Sequence, residues 1–199
     1  VQIKYELSPE ILVTIFQYYG ESILNNYQIP KLNIEKLINN IESNDRLVSG
    51  AAMWLIWIIL SNIQDIQCDL FQSFYTPQFF TLLQSIISLN EMLANVKLAV
   101  LIISTLIENA TSDQIILCVS DELINCIFDC NCIESDDNDV VFHIFLALNQ
   151  LNNHFYALGN YSFFDFLKSK LVDITICDLT EEELQTLTTS CPQIMEILS

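Results

Sequence analysis

The sequence predicts an all-α solenoid in which a unit of 43 residues recurs roughly four times. Leu37, Phe80, Leu123 and Phe166 stand 43 residues apart, each inside a stretch whose apolar residues follow helical spacing. A residue able to cap a helix start precedes each stretch: Asn33, Thr76, Ser120 and Ser162. With 3 glycines in 199 residues and no alternating apolar pattern, the chain lacks the material for hairpins or for strand–helix–strand units.

Taken in order, Ser8-Pro9-Glu10 opens a first helix that runs to about Asn25 and closes a partial unit over 1–32. The unit 33–75 holds a helix over 34–41, a break at Asn44-Asp45, a strongly apolar helix over 47–63 and a short third helix over 66–74. In 76–118, Pro77 takes the first helical position behind Thr76, where its missing N–H costs nothing. A break at Asn90-Glu91, a second helix over 92–107 and a third over 112–119 follow. The unit 119–161 repeats the order: 121–128, a longer acidic break over 134–139, 140–151, and a third helix over 153–158. In the terminal piece 162–199, Thr180-Glu181-Glu182-Glu183 reads as a capping box for a helix to about Thr189, and Pro192 starts a last turn. The second helices end alike, in Ser61-Asn62-Ile63, Ser104-Thr105-Leu106 and Asn149-Gln150-Leu151, with middle residues 43 and 45 apart. Units of this kind bury their faces on their neighbours, so residues 37, 80, 123 and 166 are expected inside.

The charge balance narrows the partners. Twenty-five acidic residues against 7 basic ones give a net charge of −18, while 52% of residues are hydrophobic and the mean hydropathy is +0.39. Such a chain folds rather than remaining disordered. No basic cluster is present to neutralise phosphates, so nucleic acid is excluded as a partner, and anionic lipid is disfavoured for the same reason. A Lys/Arg-rich protein or peptide is favoured, because an acidic surface speeds its encounter with cations. The uncharged stretch 47–64 approaches the length of a membrane span, but a buried helix of a repeat array has the same composition, and only Arg46 flanks it with positive charge. The seven cysteines, an odd number at irregular spacing, and the absence of a secretory pattern in Val1-Gln2-Ile3-Lys4-Tyr5-Glu6 point to a reducing, intracellular setting, cytoplasmic or nuclear.

Enzyme chemistry finds few footholds. Gly20, Gly50 and Gly159 stand alone, so no phosphate-cradling loop can be written, and no nucleophile elbow, kinase set or paired-carboxylate motif occurs. Cys126, Cys130, Cys132 and His143 make a cluster that suggests a metal, yet its spacing is not that of a zinc site. His143 and His154, eleven residues apart, read as packing residues. Neither catalysis nor a metal or cofactor is expected.

The second helices, with Ala51-Ala52, an apolar stretch and Ser61-Asn62-Ile63 as the fullest instance, resemble the third helix of an armadillo repeat. A 43-residue period also suits the armadillo and HEAT range. The resemblance covers about residues 30 to 175, and the sub-family it is nearest to is the importin-α group. It implies a right-handed solenoid and a non-enzymatic module that holds a basic or extended segment in a concave groove, as nuclear-import adaptors do. Carried over position by position, the Asn slot holds Asn62, Thr105 and Gln150, and the Trp slot holds Ile58, Leu101 and Leu146, so the aromatic clamp is lost. A ladder of amides and a hydroxyl remains for a peptide backbone, with Asp65, Asp69, Glu108 and Asp113 to receive Lys or Arg. The ladder residues also sit where they can bond local carbonyls, and Trp54 and Trp57 fall at core offsets. An assembly or chaperone-type scaffold that grips a folded partner is the alternative, and a metal or thiol enzyme a third.

Overall fold

The computed structural model describes residues 34–63, 65–89, 92–130, 138–171 and 180–198, in two compact units, 1–64 and 65–199. The division falls inside the expected 33–75 repeat. Among the described residues every regular element is a helix. The expected N-terminal helix, the cap Asn33 of the helix over 34–41, the break at Asn90-Glu91 and residues 134–137 of the acidic break lie outside them.

The first unit contributes α1 (Ile34–Ile41) and α2 (Arg46–Asn62), packed on each other. Leu37 and Ile41 form the buried stripe of α1. Asp45 starts α2, its carboxylate accepting from the amides of Leu47 at 2.9 Å and Val48 at 3.5 Å, which are otherwise orphaned at a helix start.

The second unit runs α3 (Asp69–Gln72), α4 (Pro77–Leu89), α5 (Leu93–Glu108), α6 (Ser112–Cys118), α7 (Asp121–Asp129), α8 (Asn138–Ala157), α9 (Ser162–Leu171), α10 (Glu181–Ser190) and α11 (Pro192–Leu198). The caps at Thr76 and Ser120 form as expected, each hydroxyl accepting from the amide three residues on. The Glu122 carboxyl is held below its usual range by its own backbone amide and by the Ser120 hydroxyl. Thr111 and Gln114 close a full capping box on α6.

Helix α5 is the centre of this unit. Val100, Ile102, Ile103, Leu106 and Ile107 are fully enclosed, between α4 on one side and α8 on another. At about 1.5–3 kcal/mol per buried side chain, this helix supplies much of the unit's apolar stabilisation. α7 packs on α4, and α9, α10 and α11 close on α8. Asn149 Nδ2 donates to the Ser190 carbonyl at 3.0 Å and Asn152 Nδ2 to Gln193 Oε1 at 2.7 Å, so polar bonds as well as apolar contact fix the last two helices.

Burial recurs along the second helices at the spacing read from the sequence. Ala52, Asn95 and Val140 are buried, as are Met53, Val96 and Val141, then Ile56, Ala99 and Ile144, then Leu60, Ile103 and Leu148. These sets follow the 43- and 45-residue steps of the second helices. The first helices follow a different step. Leu37/Ile41, Phe79/Leu83, Leu123/Ile127 and Phe163/Leu167 are the buried pairs, 42, 44 and 40 residues apart. Leu37, Phe80 and Leu123 are inside as expected, but Phe166 is only half-buried and Leu167 takes the core position. The slip arises at the helix start. Ser162 does not cap α9 but is its first residue, its hydroxyl donating to Asn160 Oδ1 at 2.7 Å.

The expected repeat 119–161 lacks its separate third helix. α8 continues through 149–157 without interruption. The stretch holds no Gly or Pro, and the side chains of Asn149, Gln150 and Asn152 bond to neighbouring elements instead of competing for their own backbone. The helix ends at Gly159, whose φ of 75° suits a residue without Cβ. The Gly159 amide donates to Tyr156 O and the Asn160 amide to Phe155 O, both at 2.9 Å, a Schellman closure.

Candidate peptide-binding face

The expected ladder residues fall into different environments. Ile58 is half-buried on α2, and Asn62 is that helix's last residue. Asp65 is exposed and accepts from the Gln67 amide at 3.0 Å; Asp69 and Asp113 are exposed in the first turns of α3 and α6. Leu101 and Thr105 are each 5% exposed, and the Thr105 hydroxyl donates to the Leu101 carbonyl one turn back at 2.8 Å. These two belong to the interior of the second unit, and the Thr105 donor is already used. Trp57, expected in the core, has its indole Nε1 buried without a hydrogen-bond partner.

Glu108, Leu146 and Gln150 do come together. His143, Leu146 and Gln150 lie three and four residues apart on α8 and therefore share one face. That face runs along the C-terminal end of α5. Glu108 Oε2 meets His143 Nδ1 at 3.0 Å, and Gln150 Nε2 donates to the Ala110 carbonyl at 2.8 Å. All four side chains are partly exposed. The face offers an aliphatic side chain flanked by a carboxylate–imidazole pair and an amide.

His143 is the member that sequence reasoning placed elsewhere. Of the metal cluster it was grouped with, Cys126 Sγ lies 3.2 Å from Ser88 Oγ, Cys130 Sγ donates to Ile127 O, and Cys132 is outside the described residues. Among the described residues no group of three potential ligands is close enough to hold a metal ion. The signal for the actual placement was the 143–146–150 spacing with two positions of the ladder.

The Glu108–His143 pair has the chemistry of an acid–base dyad, so its surroundings decide whether a nucleophile serves it. Cys191 lies in the field of Glu108, but it is fully buried and burial pushes its thiol up to about 11, the carboxylate adding to the rise. At neutral pH it is a thiol, and its Sγ–H points to the Phe145 carbonyl at 3.9 Å. A shallow depression of about 250 Å³ on α10 is lined by Glu182, Gln185, Thr186, Thr189 and Ser190. Its threonine hydroxyls donate to carbonyls of their own helix.

No family model, curated protein or solved structure matches this chain. No helix among the described residues is long and apolar enough to cross a membrane.

Proposed function

We propose that the chain is a right-handed solenoid of armadillo/HEAT-like repeats acting as a non-enzymatic protein-binding module, which holds a basic or extended segment of a partner. The recurring burial of Ala52, Asn95 and Val140 and of the positions that follow them supports the repeat reading. The observation that carries the binding reading is the half-exposed Leu146 between Gln150 and the Glu108–His143 pair, in a chain of net charge −18. Leu146 would take an apolar side chain, Gln150 a backbone amide, and Glu108 a Lys or Arg.

Fluorescence anisotropy of labelled Lys/Arg-rich peptides, against scrambled and uncharged controls, tests this at low and near-physiological salt. Sequence-selective, saturable binding that survives salt and weakens about two- to fivefold in Glu108→Gln is the expected result. Binding that vanishes with salt and ignores sequence would reduce the effect to nonspecific attraction of cations.

A folded partner is the second reading, and exposed Ile116 and Leu117 on α6 favour it. Binding of a folded basic protein but of no peptide would select it.

A further inference from the structure

The corner between α8 and α9 carries three large side chains that the fold leaves out: Tyr156, Leu158 and Tyr161 are 58%, 61% and 60% exposed. They are held in place. The Schellman closure at Gly159 fixes the backbone, and the two phenol rings meet edge to face with centroids 4.9 Å apart. A tyrosine face is electron-rich, so a pre-set pair of rings favours a cation above one of them. The chain makes such contacts itself, with the Lys170 ammonium 5.9 Å from the centroids of both Phe128 and Phe166.

Charge selects the occupant. A second copy of this chain would bring −18 against −18, and an acidic partner is repelled likewise. Asp165 is exposed one turn beyond Tyr161 on α9 and adds a carboxylate, while Lys168 a turn further confines the favourable seat to the start of the helix. Arginine fits better than lysine, since a guanidinium is planar, less strongly hydrated and stacks on aromatic rings.

We propose that the Tyr156–Leu158–Tyr161 corner docks an arginine-bearing cationic segment of a partner protein, with a guanidinium over a tyrosine face and the neighbouring apolar group on Leu158. This rests on the reading that the module receives cationic partners, but it uses residues distinct from the Leu146 face.

The test titrates the full chain with an arginine peptide and a lysine peptide of equal length and charge, at near-physiological salt. The expected result is that the arginine peptide binds about fivefold more tightly. The double variant Tyr156→Leu/Tyr161→Leu loses that preference and Tyr156→Phe/Tyr161→Phe keeps it, with unchanged helical circular dichroism in both. Equal affinity for the two peptides in the wild type, or a preference that survives the leucine pair, overturns the corner while leaving the cationic-partner reading standing. Failure of every cationic peptide to bind overturns both.

Discussion

Tyr75 Oη donates a buried hydrogen bond of 2.8 Å to the Leu106 carbonyl, joining the segment before α4 to the last turn of α5 across 31 residues. The same carbonyl accepts from the Asn109 amide at 3.2 Å, so it sits where the helix gives up its own ladder. The phenol gives this carbonyl a second donor while its ring packs against Phe71 and Phe80. Tyr75→Phe keeps the packing and leaves the carbonyl one partner. A loss of about 1 kcal/mol in urea unfolding is expected.

Alkaline pH should destabilise the fold through the same region. Burial raises the Tyr75 phenol and the Cys118 thiol above their ordinary values and pushes the Cys191 thiol up to about 11. In the unfolded chain a thiol ionises near about 8.5. The unfolded state therefore releases its protons first, so the stabilisation is whole below about pH 8.5 and is lost as pH rises toward 11. Urea midpoints measured across this range should fall. Cys191→Ala should start lower, from its cavity, but decline less steeply; an unchanged slope would remove Cys191 from the explanation.

Gly159 closes α8 at φ 75° with open space where a Cβ would stand. Substitution there meets no clash, and the penalty is conformational alone. Gly159→Ala should cost about 1 kcal/mol and Gly159→Asn less, because Asn tolerates the left-handed region. Thermal unfolding of the two variants checks the order.

How far this fold was legible depended on the kind of signal. Thr76-Pro77 and Ser120 mark helix starts through local chemistry, and local chemistry decides them in the folded chain too. The 43- and 45-residue steps of the second helices were legible because long apolar runs leave little freedom of register. Asn149-Gln150 misled for the opposite reason. Amides near a helix end suggest a break, and whether they make one depends on partners such as Ser190 and Ala110, about 40 residues away in the chain. Glu108 stands out in the sequence for its charge, but its neighbour His143 is 35 residues on and comes to it through the packing of α8 on α5. Thr105 matched a motif position, while its burial was set by the helices around α5.

Truncation at the repeated core positions should separate interior from margin. Phe80, 2% exposed, is expected to cost about 3–5 kcal/mol as Phe80→Ala. A loss below about 1 kcal/mol would contradict its place in the core.

Helix α9 is where burial departs from the 43-residue spacing read from the sequence. Leu167 is fully buried, whereas Phe166 is half-exposed beside Phe128 and Lys170. Denaturant titration of Leu167→Ala and Phe166→Ala, in parallel, compares the two directly. The packing of α9 predicts a loss of about 2–5 kcal/mol for Leu167→Ala and less than half of that for Phe166→Ala. The reverse order would restore the uniform 43-residue step and contradict the place of Leu167 in the core.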